Sequence, residues 1–421
     1  MNKALKRRGI RRYGETMKRL SLLAIMAVIP ACQSVPNPAQ LHSDTLTLDT
    51  HVDIPLTYMD KVDPGSATHL QVDLGKMEEG GLDVAFFIVY TPQGELTDAG
   101  YAAAKEVAET RIKAIHMMSK AYEDRIAFAT TAAEARKAVS DGKLAAMVGM
   151  ENAYPLGDAC ATAENCKSSV ALWAKRGVRY VGITHFGHNQ FGDSSNPHPD
   201  RDNGPRYNGL SETGRELVKE LNNHGIMVDV SHASKETMMQ AADLSRSPII
   251  ASHSGVKAVA DSARNLDDVQ LRKIAEVGGV AQMVALDAYV KPYTAAQTEF
   301  RANLRKELGL ETSAQRGMAS KETMKAYNTR LLGMWELAPR ASVADFVDHI
   351  DHAVKIAGID HVGIASDFDG GGGIDGWEDA TKTPNVTAEL VRRGYSAKDI
   401  AKIWGGNLLR VLEATEKAAL E

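Results

Sequence analysis

Short runs of apolar, β-prone residues recur along the chain, and a stretch with helical periodicity follows each of them. This alternation is typical of parallel strands joined by crossover helices. An open doubly wound sheet usually has fewer strands and needs a nucleotide-binding loop, which the sequence does not show. The pattern therefore predicts an α/β fold, a (β/α)8 TIM-type barrel. The eight runs cover residues 45–53, 82–90, 144–152, 180–186, 226–232, 249–253, 279–286 and 361–367.

The stretches between the runs supply the helices of this barrel. Gly225, Gly278 and Gly358 follow three of them closely, as glycines at helix ends do. Residues 294–341 break the rhythm, because this polar stretch of helical character follows the seventh run. We interpret it as a lid-like insertion over the barrel mouth, with a separate subdomain as the alternative. The barrel is predicted over residues 45–415, with helices at 102–122, 211–223, 234–244, 266–276 and 343–356.

The N-terminal segment of the chain does not follow the strand-helix pattern of the predicted barrel. Two basic residues precede an apolar run at residues 20–29, which is too short to span a bilayer but suits a signal-peptide core. The run leads to Cys32 in a pattern that resembles the lipobox of bacterial lipoproteins. Residues 1–32 are therefore predicted to be an export segment and residues 33–44 a short linker, in a periplasmic protein anchored to the outer membrane through Cys32. An ordinary cleaved signal remains the alternative, and Met17 is an alternative start.

Composition and charge narrow the class of partner. The 421-residue chain is 44% hydrophobic and 24% charged, as expected for a globular protein with a sizeable core. Its formal net charge of -5 is small, and no basic stripe interleaved with aromatics follows the N-terminal segment, so a small-molecule substrate is favoured over nucleic acid. Cys160 and Cys166 could close a local disulfide in an oxidising compartment. A zinc pair is the alternative, although no other soft ligand lies nearby.

Ionisable residues cluster at the C-terminal ends of the predicted strands, where barrel enzymes place their catalytic groups. His51 and Asp53 end the first run on the same side, because side chains alternate along a strand. Glu151 ends the third run, and His232 and His253 end the fifth and sixth. A single histidine at a strand end is more often structural, so the argument depends on all five converging. We predict one metal ion on His51, Asp53 and Glu151 and a second on Glu151, His232 and His253, sharing a water or hydroxide that serves as the nucleophile of a hydrolase.

Several ordered segments together resemble one family. The similarity runs from about residue 48 to residue 412 and identifies the membrane dipeptidase family, also called renal dipeptidase, a branch of the metal-dependent amidohydrolase-like barrels. The matching segments are Asp49-Thr-His-Val-Asp53, Gly149-Met-Glu-Asn152, Ile183-Thr-His185, Asp229-Val-Ser-His232, Ser252-His-Ser254, Ala263-Arg-Asn265, Ser366-Asp-Phe-Asp-Gly370, Arg393-Gly-Tyr-Ser396 and Ile403-Trp-Gly-Gly-Asn407.

The resemblance implies hydrolysis of the peptide bond of a dipeptide, with two Zn²⁺ ions bridged by Glu151 and a water or hydroxide. It implies that His185 contacts the scissile carbonyl and stabilises the tetrahedral intermediate. Asp367 would take a proton from the bridging water and pass it to the leaving amine. Arg264 would bind the terminal carboxylate of the substrate, and a D-residue could be accepted at that end.

Alternatives stay open for these three residues. Arg264 could pair with Asp267 or Asp268 instead, Asp369 competes for the catalytic role, and His185 could be a further metal ligand. The seventh run ends in Met-Val-Ala-Leu where the family usually has an Asn-Phe-Tyr type sequence, so the pocket wall differs. This departure motivates a second hypothesis, hydrolysis or tailoring of another amide such as a modified peptide or a β-lactam. A non-catalytic metal-binding maturation protein is the third, and a homodimer is compatible with the sequence.

Overall fold

The computed structural model describes residues 37–311, 315 and 319–420. The predicted export segment, including Met17 and the lipidation candidate Cys32, lies outside the described residues. Within the described residues the strands form one sheet, and every pair of neighbouring strands is parallel. In chain order the strands are β1 Leu48–Val52, β2 Val84–Tyr90, β3 Ile126–Phe128, β4 Leu144–Glu151, β5 Val178–Gly182, β6 Met227–Asp229, β7 Ile250–Ser254, β8 Val280–Val284 and β9 Val362–Ala365.

All strands except β3 follow one another around a ring, in the order β1-β2-β4-β5-β6-β7-β8-β9. The ring closes between its last and first strands. Val52 forms a parallel bridge with Phe368, and the backbone N–H of Asp367 donates to the carbonyl oxygen of His51 at 3.1 Å. This closed parallel ring with its helices confirms the predicted (β/α)8 barrel.

Each predicted run overlaps one strand of the ring, and β3 is the strand that the sequence did not predict. β3 has three residues and pairs with β4 outside the ring. A segment of this length is too short to show the alternation that identifies a strand. Its omission therefore leaves the predicted barrel topology unchanged.

Side-chain caps fix the starts of several helices. The Ser342 side chain accepts the backbone N–H of Asp345, whose carboxylate in turn accepts the backbone N–H of Ser342, which fixes the start of the helix predicted at residues 343–356. No helix among the described residues is both long and apolar enough to cross a membrane. The α-helices span Pro38–Asp44, Leu74–Gly80, Asp98–Ala121, Ala132–Ser140, Ala163–Lys175, Glu212–Asn223, Lys235–Leu244, Asp268–Glu276, Asp287–Val290, Ala295–Glu307, Lys321–Leu331, Val343–Ala357, Pro384–Arg392, Ala397–Ala401 and Asn407–Ala418.

Part of the segment predicted as a linker, residues 33–44, is helical and packs on the barrel. The helix Pro38–Asp44 buries His42, whose ring nitrogens bond the Thr387 hydroxyl at 2.7 Å and the Gly80 carbonyl oxygen at 2.9 Å. A two-turn helix that buries a single polar side chain shows no apolar periodicity, so the sequence pattern gave no sign of it.

The segment after β8, predicted as a lid at residues 294–341, forms its own small apolar cluster. Leu304 of the helix Ala295–Glu307 and Tyr327 of the helix Lys321–Leu331 pack together with Leu310. Arg340 anchors the segment to the barrel, because its Nε donates to Asp287 Oδ2 at 3.0 Å. Among its described residues none lines the cavity at the barrel mouth. In the described part of the chain the segment therefore packs on the barrel without forming a wall of that cavity.

The two remaining cysteines lie close together after β4. Their sulfur atoms are 2.08 Å apart and their Cα atoms 4.1 Å apart, which is bonding distance for Cys160 and Cys166. Both side chains are buried. Cys160 lies in a short 3₁₀ turn, and Cys166 lies in the helix Ala163–Lys175. The structure thus places the pair as the disulfide interpretation expects.

Candidate active site and its metal-binding cluster

The barrel brings the predicted site residues to one rim. Glu151 ends β4, and His51 and His253 lie in β1 and β7. His232 and Asp367 follow β6 and β9 with left-handed backbone conformations, at φ 64° and φ 58°. Such φ values are uncommon outside glycine and tend to occur at functional sites. The carboxyl ends of the strands therefore carry a single buried cluster, as the sequence pattern predicted.

Glu151 lies at the centre of this cluster and faces four imidazoles. Its Oε1 is 2.9 Å from His232 Nε2, 3.2 Å from His253 Nε2 and 3.7 Å from His185 Nε2. Its Oε2 is 3.7 Å from the Nε2 atom of His51. The two oxygens of this carboxylate thus face imidazoles from different strand ends, a mixed ligand set that suits metal binding.

Tyr180 fixes the tautomer of His51. Its hydroxyl lies 3.0 Å from the carbonyl oxygen of Thr50, which can only accept, and 3.0 Å from His51 Nδ1. The hydroxyl proton therefore goes to Thr50, and the hydroxyl oxygen accepts the Nδ1–H of His51. The Nε2 lone pair of His51 is then directed at Asp53 Oδ2, 3.4 Å away, and at Glu151 Oε2.

A hydrogen-bond chain from Asp229 orients His253 in the same way. Asp229 accepts the backbone N–H groups of Ser231 and Ser252, and its Oδ2 accepts the Ser252 hydroxyl at 2.7 Å. The Ser252 oxygen is 2.9 Å from His253 Nδ1, so it accepts the Nδ1–H and leaves the Nε2 lone pair facing the cluster. Asp229 thus has the supporting position expected of a residue inside its strand.

Lone pairs and carboxylate oxygens therefore face one another at the centre of the cluster. His51 Nε2 is buried and has no hydrogen-bond partner among the residues that the structure describes. A divalent cation satisfies such a set of acceptors, and imidazole with carboxylate is a suitable ligand set. The five predicted ligands converge here, joined by His185 and Asp367. The groups whose ligand atoms lie within 4.8 Å of one another are His51, Glu151 and His253; Glu151, His185 and His232; and His51, Asp53 and Asp367.

The charged groups of the cluster shift the pKa values of Glu151 and His51 in opposite directions. Burial raises the pKa of Glu151, but the facing imidazoles of His185 and His51 outweigh it and hold that pKa well below its usual range. Burial lowers the pKa of His51, but the negative charges of Glu151 and Asp53 outweigh it and raise that pKa well above its usual range. A positive charge is therefore stabilised between His51 and the two carboxylates. Either a proton on His51 or a bound metal ion can supply that charge.

Asp367 and its competitor Asp369 lie in different environments. Asp369 accepts the backbone N–H of Gln71 at 2.9 Å, so its carboxylate holds a loop. Both carboxylates line the cavity, but Asp367 lies against the cluster, where burial, opposed by the charge of His51 and reinforced by that of Asp53, raises the pKa of Asp367 to about 8. A carboxyl group that titrates near neutrality is suited to proton transfer.

Arg264 lies in the cavity wall and does not pair with the acids that follow it in sequence. Its Nη2 donates to the carbonyl oxygen of His253 at 2.9 Å, and its Nη1 donates to Ser254 Oγ at 3.3 Å. Asp267 and Asp268 form their ion pairs with other side chains. The guanidinium is thus held rigidly against β7 without a carboxylate partner among the described residues.

His185 lies above the cluster, three residues after the end of β5. Its ring centroid is 5.0 Å from that of Tyr90 and 4.3 Å from that of His232. Burial lowers the pKa of His185, which keeps the ring neutral near pH 7. The position suits contact with an ion and contact with a substrate above it. His188 instead bonds within its own loop, where its Nε2 is 3.0 Å from the carbonyl oxygen of Gly204.

The cavity over the cluster, of about 430 Å³, is also lined by residues that the sequence analysis did not identify. Arg111 reaches it from the helix after β2, and its Nε donates to the carbonyl oxygen of Ile54 at 3.1 Å. Tyr289 lies beneath the Arg264 guanidinium, 5.4 Å from carbon Cζ to ring centroid. Helical periodicity could show that Arg111 faces the barrel, but its reach to the rim depends on tertiary packing.

The barrel and its buried cluster of carboxylates and imidazoles at the strand ends define a metal-dependent hydrolase of the barrel class. The comparison with known families agrees, because the model of the membrane dipeptidases, peptidase family M19, matches residues 37–421. The chain belongs to this family. It is a metallo-dipeptidase, as the sequence motifs predicted.

Known relatives are similar to this chain in sequence, and the solved ones are similar in fold. The crystal structure of the probable dipeptidase PvdM from Pseudomonas aeruginosa is 35% identical, with a TM-score of 0.79 over 91% of this chain and 98% of that one. Dipeptidase tcpJ of Claviceps purpurea is 29% identical over 365 residues, which are 86% of this chain and 73% of the relative. A metallo peptidase from Rhodobacter sphaeroides, solved with a phosphinate mimic of the dipeptide L-Ala-D-Ala, is 26% identical, with a TM-score of 0.66 over 88% of this chain and 100% of that one.

Proposed function

We propose that this metallo-dipeptidase is a binuclear zinc enzyme in which Glu151 bridges the ions. The observation that carries the proposal is the placement of the two Glu151 oxygens, one facing His51 and the other facing His232 and His253. Asp53 completes the ligand set beside His51. His51, Asp53, Glu151, His232 and His253 would hold the ions, which would supply Lewis acidity and lower the pKa of a bound water.

Asp367 is the group that moves the proton. Its carboxylate lies with His51 and Asp53 in one group of ligand atoms within 4.8 Å, on the edge of the cavity where water and substrate meet. As a carboxylate it accepts a proton from the attacking water, and as a carboxylic acid it delivers that proton to the leaving amine. Asp369 cannot replace it, because the backbone N–H groups of a neighbouring loop occupy its oxygens.

Arg264 and His185 bind and orient the dipeptide. The Arg264 guanidinium, held by β7, offers its remaining N–H groups to the free carboxylate of the substrate. Its buried Nε has no hydrogen-bond partner in the described part of the chain. A neutral His185 can donate a hydrogen bond to the scissile carbonyl oxygen as negative charge develops there. Both contacts fix the peptide bond over Glu151.

The proposal extends to the leaving residue and to the compartment. Tolerance of a C-terminal D-residue is supported by the Rhodobacter sphaeroides relative, whose bound phosphinate mimics L-Ala-D-Ala. The N-terminal pattern of residues 1–32 supports export to the periplasm with a lipid anchor at Cys32. A disulfide between Cys160 and Cys166 suits the oxidising conditions of that compartment. A homodimer remains part of the proposal for the assembled state.

Metal removal tests the proposal. The purified chain should hydrolyse L,L- and L,D-dipeptides, lose that activity after dialysis against a chelator, and regain it with zinc, and metal analysis should give about two equivalents per chain. Hydrolysis that survives complete metal removal would contradict the mechanism. Turnover confined to N-acyl or cyclic amides would select the other-amide hypothesis instead.

A matched pair of variants tests the proton-transfer role. Asp367→Asn should lower kcat by at least about 100-fold while its metal content stays unchanged, because the amide cannot accept the proton. Asp369→Asn, a carboxylate two residues away, should retain most of kcat and lose thermal stability instead. The reverse pattern would assign the role to Asp369.

A further inference from the structure

A second arginine lines the active-site cavity in addition to Arg264. Arg111 is 9% exposed and contributes to the wall of the same cavity, on the side of Ile54 and Tyr90. We infer that Arg111 forms a second anion-binding subsite, which selects dipeptides whose N-terminal residue carries a side-chain carboxylate. The inference rests on the proposed function, because it assigns the substrate class of the same site.

Contacts with two strand ends hold the Arg111 guanidinium in place. Its Nε donates to the carbonyl oxygen of Ile54 at 3.1 Å, and its Nη1 donates to the carbonyl oxygen of Tyr90 at 2.9 Å. Its Cζ lies 5.5 Å from the centroid of the Tyr90 ring. These contacts use two of the five N–H groups of a guanidinium, so the remaining ones are available to a ligand.

Among the described residues no carboxylate forms an ion pair with Arg111 within 4.0 Å, although Asp53 and Glu151 attract its charge from farther away. The ion pairs within 4.0 Å in the described ranges include none with Arg111, although other arginines such as Arg125 and Arg393 have carboxylate partners. A buried charge without a counterion is costly, and two backbone carbonyls could be held by a neutral donor such as an amide. A ligand carboxylate supplies the missing counterion, with the geometry that the planar guanidinium favours.

The order of strands places Arg111 on the side of the N-terminal residue. Arg111 contacts the ends of β1 and β2, whereas Arg264 contacts β7, and in the ring β4, β5 and β6 separate β2 from β7. The two guanidinium groups therefore flank Glu151 from different sides of the mouth. With the terminal carboxylate on Arg264 and the peptide bond over Glu151, the N-terminal residue extends toward Arg111. Leu70 and Ile54 line the same side and can contact the methylene groups of an aspartyl or glutamyl side chain.

Two pairs of dipeptides that differ in one charge test the inference. Glu-Ala and Gln-Ala have nearly the same shape, and Ala-Glu and Ala-Gln place the same difference on the leaving residue. The wild-type enzyme should show a kcat/KM for Glu-Ala at least about tenfold above that for Gln-Ala, because a charge-assisted hydrogen bond is lost. In Arg111→Gln this ratio should fall toward one, and in Arg111→Lys it should lie between the two. The ratio of Ala-Glu to Ala-Gln should be the same in all three proteins.

Arg410→Gln is the matched control, because Arg410 also donates to backbone carbonyls but lies outside the cavity lining. It should keep the wild-type ratio of Glu-Ala to Gln-Ala. Equal turnover of Glu-Ala and Gln-Ala by the wild-type enzyme overturns the inference, even if Arg111→Gln does not fold. A folded Arg111→Gln that loses both activities in proportion assigns a structural role to Arg111 and also overturns it. Failure of the proposed function is distinct, because none of the four dipeptides would then show chelator-sensitive hydrolysis.

Discussion

Replacing Tyr180 by Phe should weaken metal binding although Tyr180 is not itself a metal ligand. The substitution keeps the ring in the barrel interior and removes the hydroxyl that contacts His51 Nδ1 and the Thr50 carbonyl oxygen, each at 3.0 Å. His51 then loses the acceptor that fixes its tautomer and ring orientation. The Nδ1–H and the carbonyl oxygen are both left without this partner in a fully buried position.

The magnitude follows from the hydrogen bond that is lost. An unsatisfied buried donor costs about 1–3 kcal/mol. Loss of a partner that orients a metal-binding histidine typically lowers metal affinity by about 10- to 100-fold, which corresponds to roughly 1.4–2.8 kcal/mol. The two ranges agree, so Tyr180→Phe should raise the zinc dissociation constant of the cluster by about one to two orders of magnitude.

Competition with a chromophoric chelator measures this constant without any assay of activity. Tyr58→Phe is the matched control, because Tyr58 is also buried and its hydroxyl donates to the sulfur of Met118 at 3.2 Å, away from the cluster. Its zinc affinity should equal that of the wild-type protein. If Tyr180→Phe binds zinc within about twofold of the control, the hydroxyl does not orient His51 and the tautomer argument is wrong.

Two further predictions concern stability. Gly149→Ala should lower the free energy of unfolding by about 3 kcal/mol or more in urea titrations, because the new Cβ would lie 2.1 Å from Tyr180 Cζ. Gly75→Ala should have little effect, because its new Cβ would lie 3.4 Å from the nearest atom. Burial lowers the pKa of His349, whose Nδ1 accepts the backbone N–H of Val256 at 2.8 Å, so its stabilisation is complete above its ordinary pKa of 6.5 and declines as the pH falls below that value. His349→Gln should therefore lose less stability than the wild-type protein between pH 7.5 and pH 5.5, and an unchanged pH dependence would refute this assignment.

The convergence of the site residues could be predicted because two rules act together. Alternation along a strand puts His51 and Asp53 on one side, and parallel strands bring their carboxyl ends to one rim. The contacts between individual side chains within the cluster could not be predicted in this way. The ring centroids of His51 and His253 lie 3.8 Å apart, a contact that depends on the closure of the barrel.

Short elements, and residues whose contacts depend on tertiary packing, were harder to predict from the sequence. β3 and the helix Pro38–Asp44 are too short for periodicity to identify them. Arg111 lies on a predicted helix, but whether its side chain bonds the end of β1 depends on how that helix packs against the barrel. Tyr180 was assigned to a strand, and its role becomes evident from two distances that join residues far apart in sequence.

The closure between β9 and β1 also determines when the site can form. The backbone N–H of Asp367 bonds the carbonyl oxygen of His51, and Asp49 accepts the backbone N–H of Ser366, so the first and last strands align each other. During synthesis His51 emerges early. Asp367, which bonds to its backbone, emerges only when nearly the whole chain has been made. A nascent or truncated chain that ends before β9 has neither the finished ring nor Asp367, and acquisition of metal should follow completion of the polypeptide.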